Sequence, residues 1–408
     1  MKNISNERRQ RISTIVAFAI VPMSAFATDI YIPSMPSMGT GLKITSLQVQ
    51  LTLTAFLISY GIAQLFIGAF LDTFGRYKLG LTALFVFAIA SITIANTDNI
   101  YLIYLMRVIH GLTVATIVVA KRAYFVDVYK GEQLKSYLSI FTIIWSVGPI
   151  VAPFIGGYLQ TAFGWHSNFY FLAGMAGVIG LLEALFTGET LASPVAFNVR
   201  RIAATYYEMI TTLRFILGLV ILGLAYSTVM IYNLTGPFII EHKLGLSPVI
   251  IGYCSLFLGF AWTIGGLIGK ATVEKPFFSK LLLNLLLQLL FAIAMVLSVG
   301  FFGSLFTILF FAFIIHAAAG FTFNNYFTFN MTLFPKNAGI SGGLIGGVVY
   351  VIVSLLTSGI VYILPAKDER NLSYSYLLLI TASVLVLYIL LRANKRTSPT
   401  ISDTSKSY

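Results

Sequence analysis

The sequence predicts an all-α membrane protein of about twelve transmembrane helices, arranged as two six-helix bundles. Three observations lead there. Hydrophobic residues make up 58% and charged residues only 10% of the 408, against about 25% charged in a soluble domain. That leaves too little polar surface to cover a water-soluble globule. Apolar runs of roughly 20 residues, the length a helix needs to cross the hydrocarbon, recur from end to end. The longest polar connection falls near the middle and divides these runs six and six.

Taken in order, the first run covers 12–36. It follows a basic, polar lead, is too long for a signal-peptide core and has no small-residue cleavage site, so it is a retained span. The next runs are 46–70, 78–96, 100–122, 136–160 and 168–187. The connection 188–208 carries Glu189, Pro194, Arg200 and Arg201. Then come 209–232, 247–269, 279–301, 303–330, 339–364 and 373–393, followed by a polar tail. The expected domains are an N-terminal bundle 1–187, a cytoplasmic linker 188–208, and a C-terminal bundle 209–408 with a short cytoplasmic tail. Backbone groups in lipid must bond within their own segment, so each span is a helix. A barrel needs alternating strands of about ten residues, and runs such as Leu281–Leu290 do not alternate. Two sets of six spans that start from the same side are the plan of a transporter with parallel halves.

The net charge is +12, and its placement decides what it means. With a cytoplasmic N-terminus, 21 of the 26 basic residues fall inside. Four (Lys43, Lys243, Lys367 and Arg370) fall outside, and Arg107 lies within a span. This is the positive-inside pattern. It reads as topology and contact with membrane lipid, and argues against a nucleic-acid partner. The expected location is the bacterial cytoplasmic membrane, with both termini inside. Cys254 is the single cysteine, so no disulfide or thiolate cluster forms within the chain. His110, His166, His242 and His316 have no ligand spacing. No metal, no cofactor and no catalytic residue is expected, and the chain does not read as an enzyme.

Four segments carry chemistry. The turn after span two holds Gly68, Asp72, Gly75, Arg76 and Lys78: a glycine near a helix end lets backbones approach, and the acid and bases can pair across helices. Asp127, after span four, is a further partner. In span four, Arg107 lies about seven residues inside the membrane, where a charge is costly and needs a partner or a wet interior. By helical periodicity Arg107, Gly111 and Arg122 share a face. Asp29 is the one acid in span one and lies at similar depth, so the two are expected to pair and to handle protons, with His110 beside them. In span five, Gly148, Ala152 and Gly156 form a small-residue face, and Pro149 and Pro153 remove backbone donors. The substrate cavity is expected among Tyr60, Gln64, Trp145, Tyr226, Tyr232, Asn233, Asn324, Asn325 and Thr328. His316 is expected in the core and Glu183 at the membrane interface.

These residues also carry a family resemblance. Gly68, Asp72, Gly75, Arg76 and Lys78 resemble the signature loop of the major facilitator superfamily. Leu71 and Thr73 depart from common choices there. Arg107 and Gly111 match an Arg-x-x-Gln-Gly pattern in which His110 replaces the glutamine. Gly148, Pro149, Pro153, Gly156 and Gly157 resemble the antiporter motif found in exporters. With DIYIPSMP, KRAYFVDVY, FGWHSNFYFLAG, GET and NMTLFPKNAGISGGLIGG in order, the chain is similar to the Bcr/CflA-like drug:proton antiporter group. The resemblance implies alternating access. Asp72 and Arg76 would then gate the cytoplasmic side together with Arg122 and Asp127, and Arg107 would serve proton coupling. It further implies export of a small solute in exchange for protons, and the protein is expected to be a monomer. A dedicated siderophore or metabolite exporter, and a proton-coupled uptake symporter, remain open.

Overall fold

A computed structural model describes residues 7–193, 199–334 and 338–397. Among them are twelve helices long and apolar enough to cross a membrane. The first six are α1 (Glu7–Leu42), α2 (Ser46–Phe74), α3 (Arg76–Ala95), α4 (Ile100–Val128), α5 (Gly131–Phe163) and α6 (His166–Phe186). A linker helix, Val199–Thr211, follows. The second six are α7 (Leu213–Lys243), α8 (Pro248–Ala271), α9 (Phe277–Val299), α10 (Leu305–Leu333), α11 (Ile340–Ile363) and α12 (Glu369–Arg392).

Local sequence explains most boundaries. Thr45 and Gln48 form a reciprocal capping box at the start of α2, which satisfies amides the helix cannot. The Asn99 carboxamide accepts from the amides of Tyr101 and Leu102 to start α4. The Ser304 hydroxyl accepts from the Thr307 amide at α10. Gly75 closes α2 at φ 95° and ψ 146°, a region essentially reserved for glycine that costs other residues about 1–3 kcal/mol. The seventh span begins at Leu213, beyond the expected 209, because the amphipathic linker helix runs on to Thr211. Helix α5 starts at Gly131, ahead of the expected 136, because the exposed Glu132–Lys135 pair is accommodated in its first turns.

Helix α1 is not continuous. It is built from Glu7–Ile20, Met23–Asp29, a 3₁₀ turn Ile32–Ser34 and Met35–Leu42. Pro22, Pro33 and Pro36 sit at or beside the breaks, where their missing amides cost least. Helix α7 ends in a π-helical turn, Ile239–Lys243, just after Pro237.

In the first bundle α4 packs along α2 and α3, and α3 along α6. In the second, α10 packs along α8, α7 and α9, and α12 along α7 and α9. The bundles meet along two seams, α2 with α11 and α5 with α8. An even number of crossings puts the α1 start and the α12 end on one face, here the terminal face; the opposite one is the far face. Gly61 and Gly347 cross in the first seam, where a Cβ at Gly61 would lie 2.7 Å from the Gly347 carbonyl. Gly157 lies in the second, where a Cβ would lie 2.6 Å from the Pro248 carbonyl. Toward the far face, polar groups bridge the bundles. Gln50 Nε2 donates to the Leu234 carbonyl at 2.6 Å. Ser37 Oγ donates to Glu241 Oε1 at 3.0 Å. The hydroxyls of Thr54 and Ser358 lie 2.7 Å apart.

Candidate functional site: a buried arginine, an acid at a helix break, and an aromatic seam

The interruption of α1 after Asp29 frees backbone carbonyls that an unbroken helix would use. Arg107, fully buried on α4, takes one of them: its Nη1 donates to the Ala27 carbonyl at 2.9 Å. Nε donates to the Thr52 carbonyl of α2 at 3.4 Å. The guanidinium carbon lies 4.6 Å from the ring centres of both Tyr31 and Phe56. An arginine at mid-membrane costs roughly 2.5–3.5 kcal/mol by insertion scales. Hydrogen bonds to a charged group contribute about 1.5–3 kcal/mol each, and a desolvated cation–π contact can reach about 2 kcal/mol. These contacts therefore hold Arg107 without a carboxylate.

That corrects the expected Asp29–Arg107 ion pair, which is not formed. Asp29 is buried with 2% of its surface exposed, and its Oδ1 has no hydrogen-bond partner. Nη2 of Arg107 is likewise buried and unpartnered.

His110 has a defined tautomer. Arg107 Nη1 donates to its Nδ1 at 3.3 Å, so Nδ1 carries the lone pair. Ser91 Oγ donates to the Phe87 carbonyl at 2.9 Å and is left to accept from Nε2 at 3.0 Å. The ring is therefore a neutral Nε2–H imidazole that links α3 to the arginine.

The expected cavity residues divide. Tyr60 packs edge-on against Tyr350, with ring centres 4.8 Å apart. Tyr226 lies 5.6 Å from Tyr350 and 6.0 Å from both Trp262 and Phe323. These rings, from α2 of the first bundle and α7, α8, α10 and α11 of the second, form an aromatic seam between the bundles. Gln64 is half-buried against Gly343 and Gly346 in the α2–α11 seam. Asn324 and Thr328 are exposed on α10. Tyr232 instead belongs to the second bundle's core, 1% exposed and packed on His316. Asn325 is buried and bonds its own helix at Phe321. Asn233 contacts Met230 of its own helix. The side chain of Trp145 lies outside the described residues. Sequence reading missed Tyr350, Trp262 and Phe323, because single aromatics in apolar helices look like any lipid-facing ring.

The loop after α2 builds a second polar centre, at the terminal face. Arg76 binds Asp72 at 2.8 Å and is also paired with Asp127. Asp127 accepts from the Thr190 hydroxyl at 2.9 Å. Glu189 caps the start of α3, its carboxylate accepting from the amides of Arg76 and Tyr77 at 3.1 Å each. An anion there is favoured by the helix dipole. A Cβ on Gly75 would lie 2.6 Å from that carboxylate. Lys78 and Arg122 are exposed and join no ion pair among the described residues. Gly68 has no packing partner, so it does not serve a close approach. Glu183, in the last turn of α6, is 1% exposed and ion-paired with Lys121.

In α5, a Cβ on Gly148 would lie 2.6 Å from Ala25 of α1, and one on Gly156 would overlap the Ile30 carbonyl. Gly157 turns to α8. Pro149 is exposed, and Pro153 is buried where its carbonyl meets Gly252. These residues fit α5 simultaneously to the break in α1 and to the other bundle.

The Major Facilitator Superfamily profile matches residues 17–358. The chain is 24% identical over 375 residues to multidrug resistance protein D of Escherichia coli, covering 90% of this chain and 92% of that one. It is 32% identical over 180 residues, 44% of each chain, to a bicyclomycin resistance protein homolog of Haemophilus influenzae. Its fold resembles that of the nucleoside transporter NupG, with a TM-score of 0.71 at 14% identity, covering 95% of this chain and 99% of that one.

Proposed function

Since this chain belongs to the major facilitator superfamily, we propose that it exports a small amphipathic solute across the bacterial cytoplasmic membrane in exchange for protons. The observation that carries the proposal is Asp29: a buried carboxyl with an unpartnered oxygen at a helix break, in the bundle that also holds the buried Arg107 with its own unpartnered nitrogen. A group so placed changes its charge at a different energetic cost in each arrangement of the bundles. Protonation and rocking are thereby coupled.

The resistance proteins among the relatives support efflux. The glycine–proline pattern of α5 supports exchange over uptake. The rings of the seam between the bundles suit a solute with aromatic or apolar faces and few charges. The excess of basic residues on the loops of the terminal face supports a cytoplasmic position for both termini. In this reading Arg76, Asp72 and Asp127 stabilise the terminal face of the first bundle, and the residue ranges 1–187 and 209–408 move as units.

The test is transport by inverted vesicles that carry the protein. An imposed pH gradient, acid inside, drives a panel of labelled antibiotics and metabolites inward in wild-type vesicles, and Asp29→Asn loses the gradient-dependent part. Full gradient-driven accumulation by Asp29→Asn refutes the coupling role. Solute entry only when the gradient is reversed makes the protein a symporter.

A further inference from the structure

The linker helix Val199–Thr211 ends one residue before α7 begins at Leu213. Its C-terminal end is therefore fixed at the membrane boundary. One face is committed to the protein: Met209 is buried, and the Tyr206 hydroxyl donates to the Leu65 carbonyl of α2 at 2.6 Å. Burial in this contact raises the Tyr206 phenol above its ordinary range.

The rest of the helix surface is uncovered: Arg200, Ala203, Ala204, Tyr207, Glu208, Ile210 and Thr211 are exposed. At 100° per residue, Arg200, Ala204, Tyr207 and Thr211 lie opposite Tyr206 and Met209, with Ala203 and Ile210 on one shoulder and Glu208 on the other. Tyr207 is 68% and Ile210 43% exposed, and Leu213, at the start of the span, is 52% exposed. Arg200 is exposed at the helix start. Glu208 is exposed on the flank and is the acid of this helix. A tyrosine and an isoleucine beside an arginine are the composition of a helix lying in the interface plane. The terminal face carries most of the chain's 26 basic residues, so its charge complements an anionic leaflet.

We propose that this helix is an anionic-phospholipid binding surface: Tyr207 and Ile210 enter the acyl boundary of the leaflet at the terminal face, and Arg200 binds headgroup phosphate. The surface is independent of the transported solute. The Tyr206–Leu65 bond carries its position to α2, at the seam between the bundles.

The experiment uses the full chain in nanodiscs, with Cys254→Ser and a bimane probe on Tyr207→Cys. Quenchers are brominated phosphatidylglycerol, brominated phosphatidylcholine and aqueous iodide. We expect lipid quenching to exceed iodide quenching, with phosphatidylglycerol favoured over phosphatidylcholine. A basic residue near an anionic surface contributes about fivefold, so Arg200→Gln lowers that preference about fivefold. A probe at Ile210→Cys repeats the test should the first site perturb the helix. Iodide quenching in excess of lipid quenching at both sites overturns the proposal. So does equal quenching by the two lipids, or an unchanged preference in Arg200→Gln.

Discussion

Arg107 reaches its partners through a planar fork: one nitrogen serves both Ala27 and His110, and another serves Thr52. A lysine ammonium is a compact point charge and does not reproduce that geometry. Arg107→Lys is therefore expected to be made and inserted at wild-type levels but to lose at least about tenfold in transport, the equivalent of roughly 1.4 kcal/mol. Rates measured in vesicles at matched protein content check it. The burial of Arg107 and Asp29 was legible in the sequence, because charges inside apolar runs stand out. Their lack of a direct bond was not, since it depends on a carbonyl freed by a break in a different helix. His110 and Ser91 lie 19 residues apart on separate helices, and no spacing rule connects them.

At the scale of elements, polar contacts between helices fix what apolar packing leaves loose. Lys121 of α4 and Glu183 of α6 are ion-paired with side chains only 8% and 2% exposed. Removing one partner of a buried pair costs about 3–5 kcal/mol, whereas replacing both with apolar groups is often neutral. Glu183→Gln is expected to lower stability by about that amount, and Lys121→Met with Glu183→Leu to restore most of it. Thermal unfolding in detergent, followed at matched lipid content, measures both. All twelve spans were legible from run length, but their ends were less so. The turns that extend α5 and α7 carry polar residues, and a hydropathy reading stops at those. The same reading hides the linker helix, whose alternating faces average out to a polar connection.

For the whole molecule, the state described here is shut at the far face, where Ser37 meets Glu241 and Gln50 meets Leu234. In the proposed exchange cycle these contacts part. Cysteines at Ser37 and Glu241, in a Cys254→Ser background and joined through disulfides by a short bis-methanethiosulfonate reagent, are expected to stop transport. Reduction of the link restores it. Transport that continues while linked shows that the far face need not open there. Neither bridge was visible in the sequence, because Ser37 and Glu241 lie 204 residues apart.

The central claim is that the charge on Asp29 sets the balance between arrangements of the two bundles. Spin labels at the exposed residues Thr40 and His242, in the Cys254→Ser background, report the opening of the far face by their separation. Recorded across pH without any solute, the distance distribution of the otherwise wild-type protein is expected to shift between two populations. Asp29→Asn is expected to stay, at every pH, with the distribution that the wild type adopts in acid. An identical pH-dependent shift in Asp29→Asn contradicts the account.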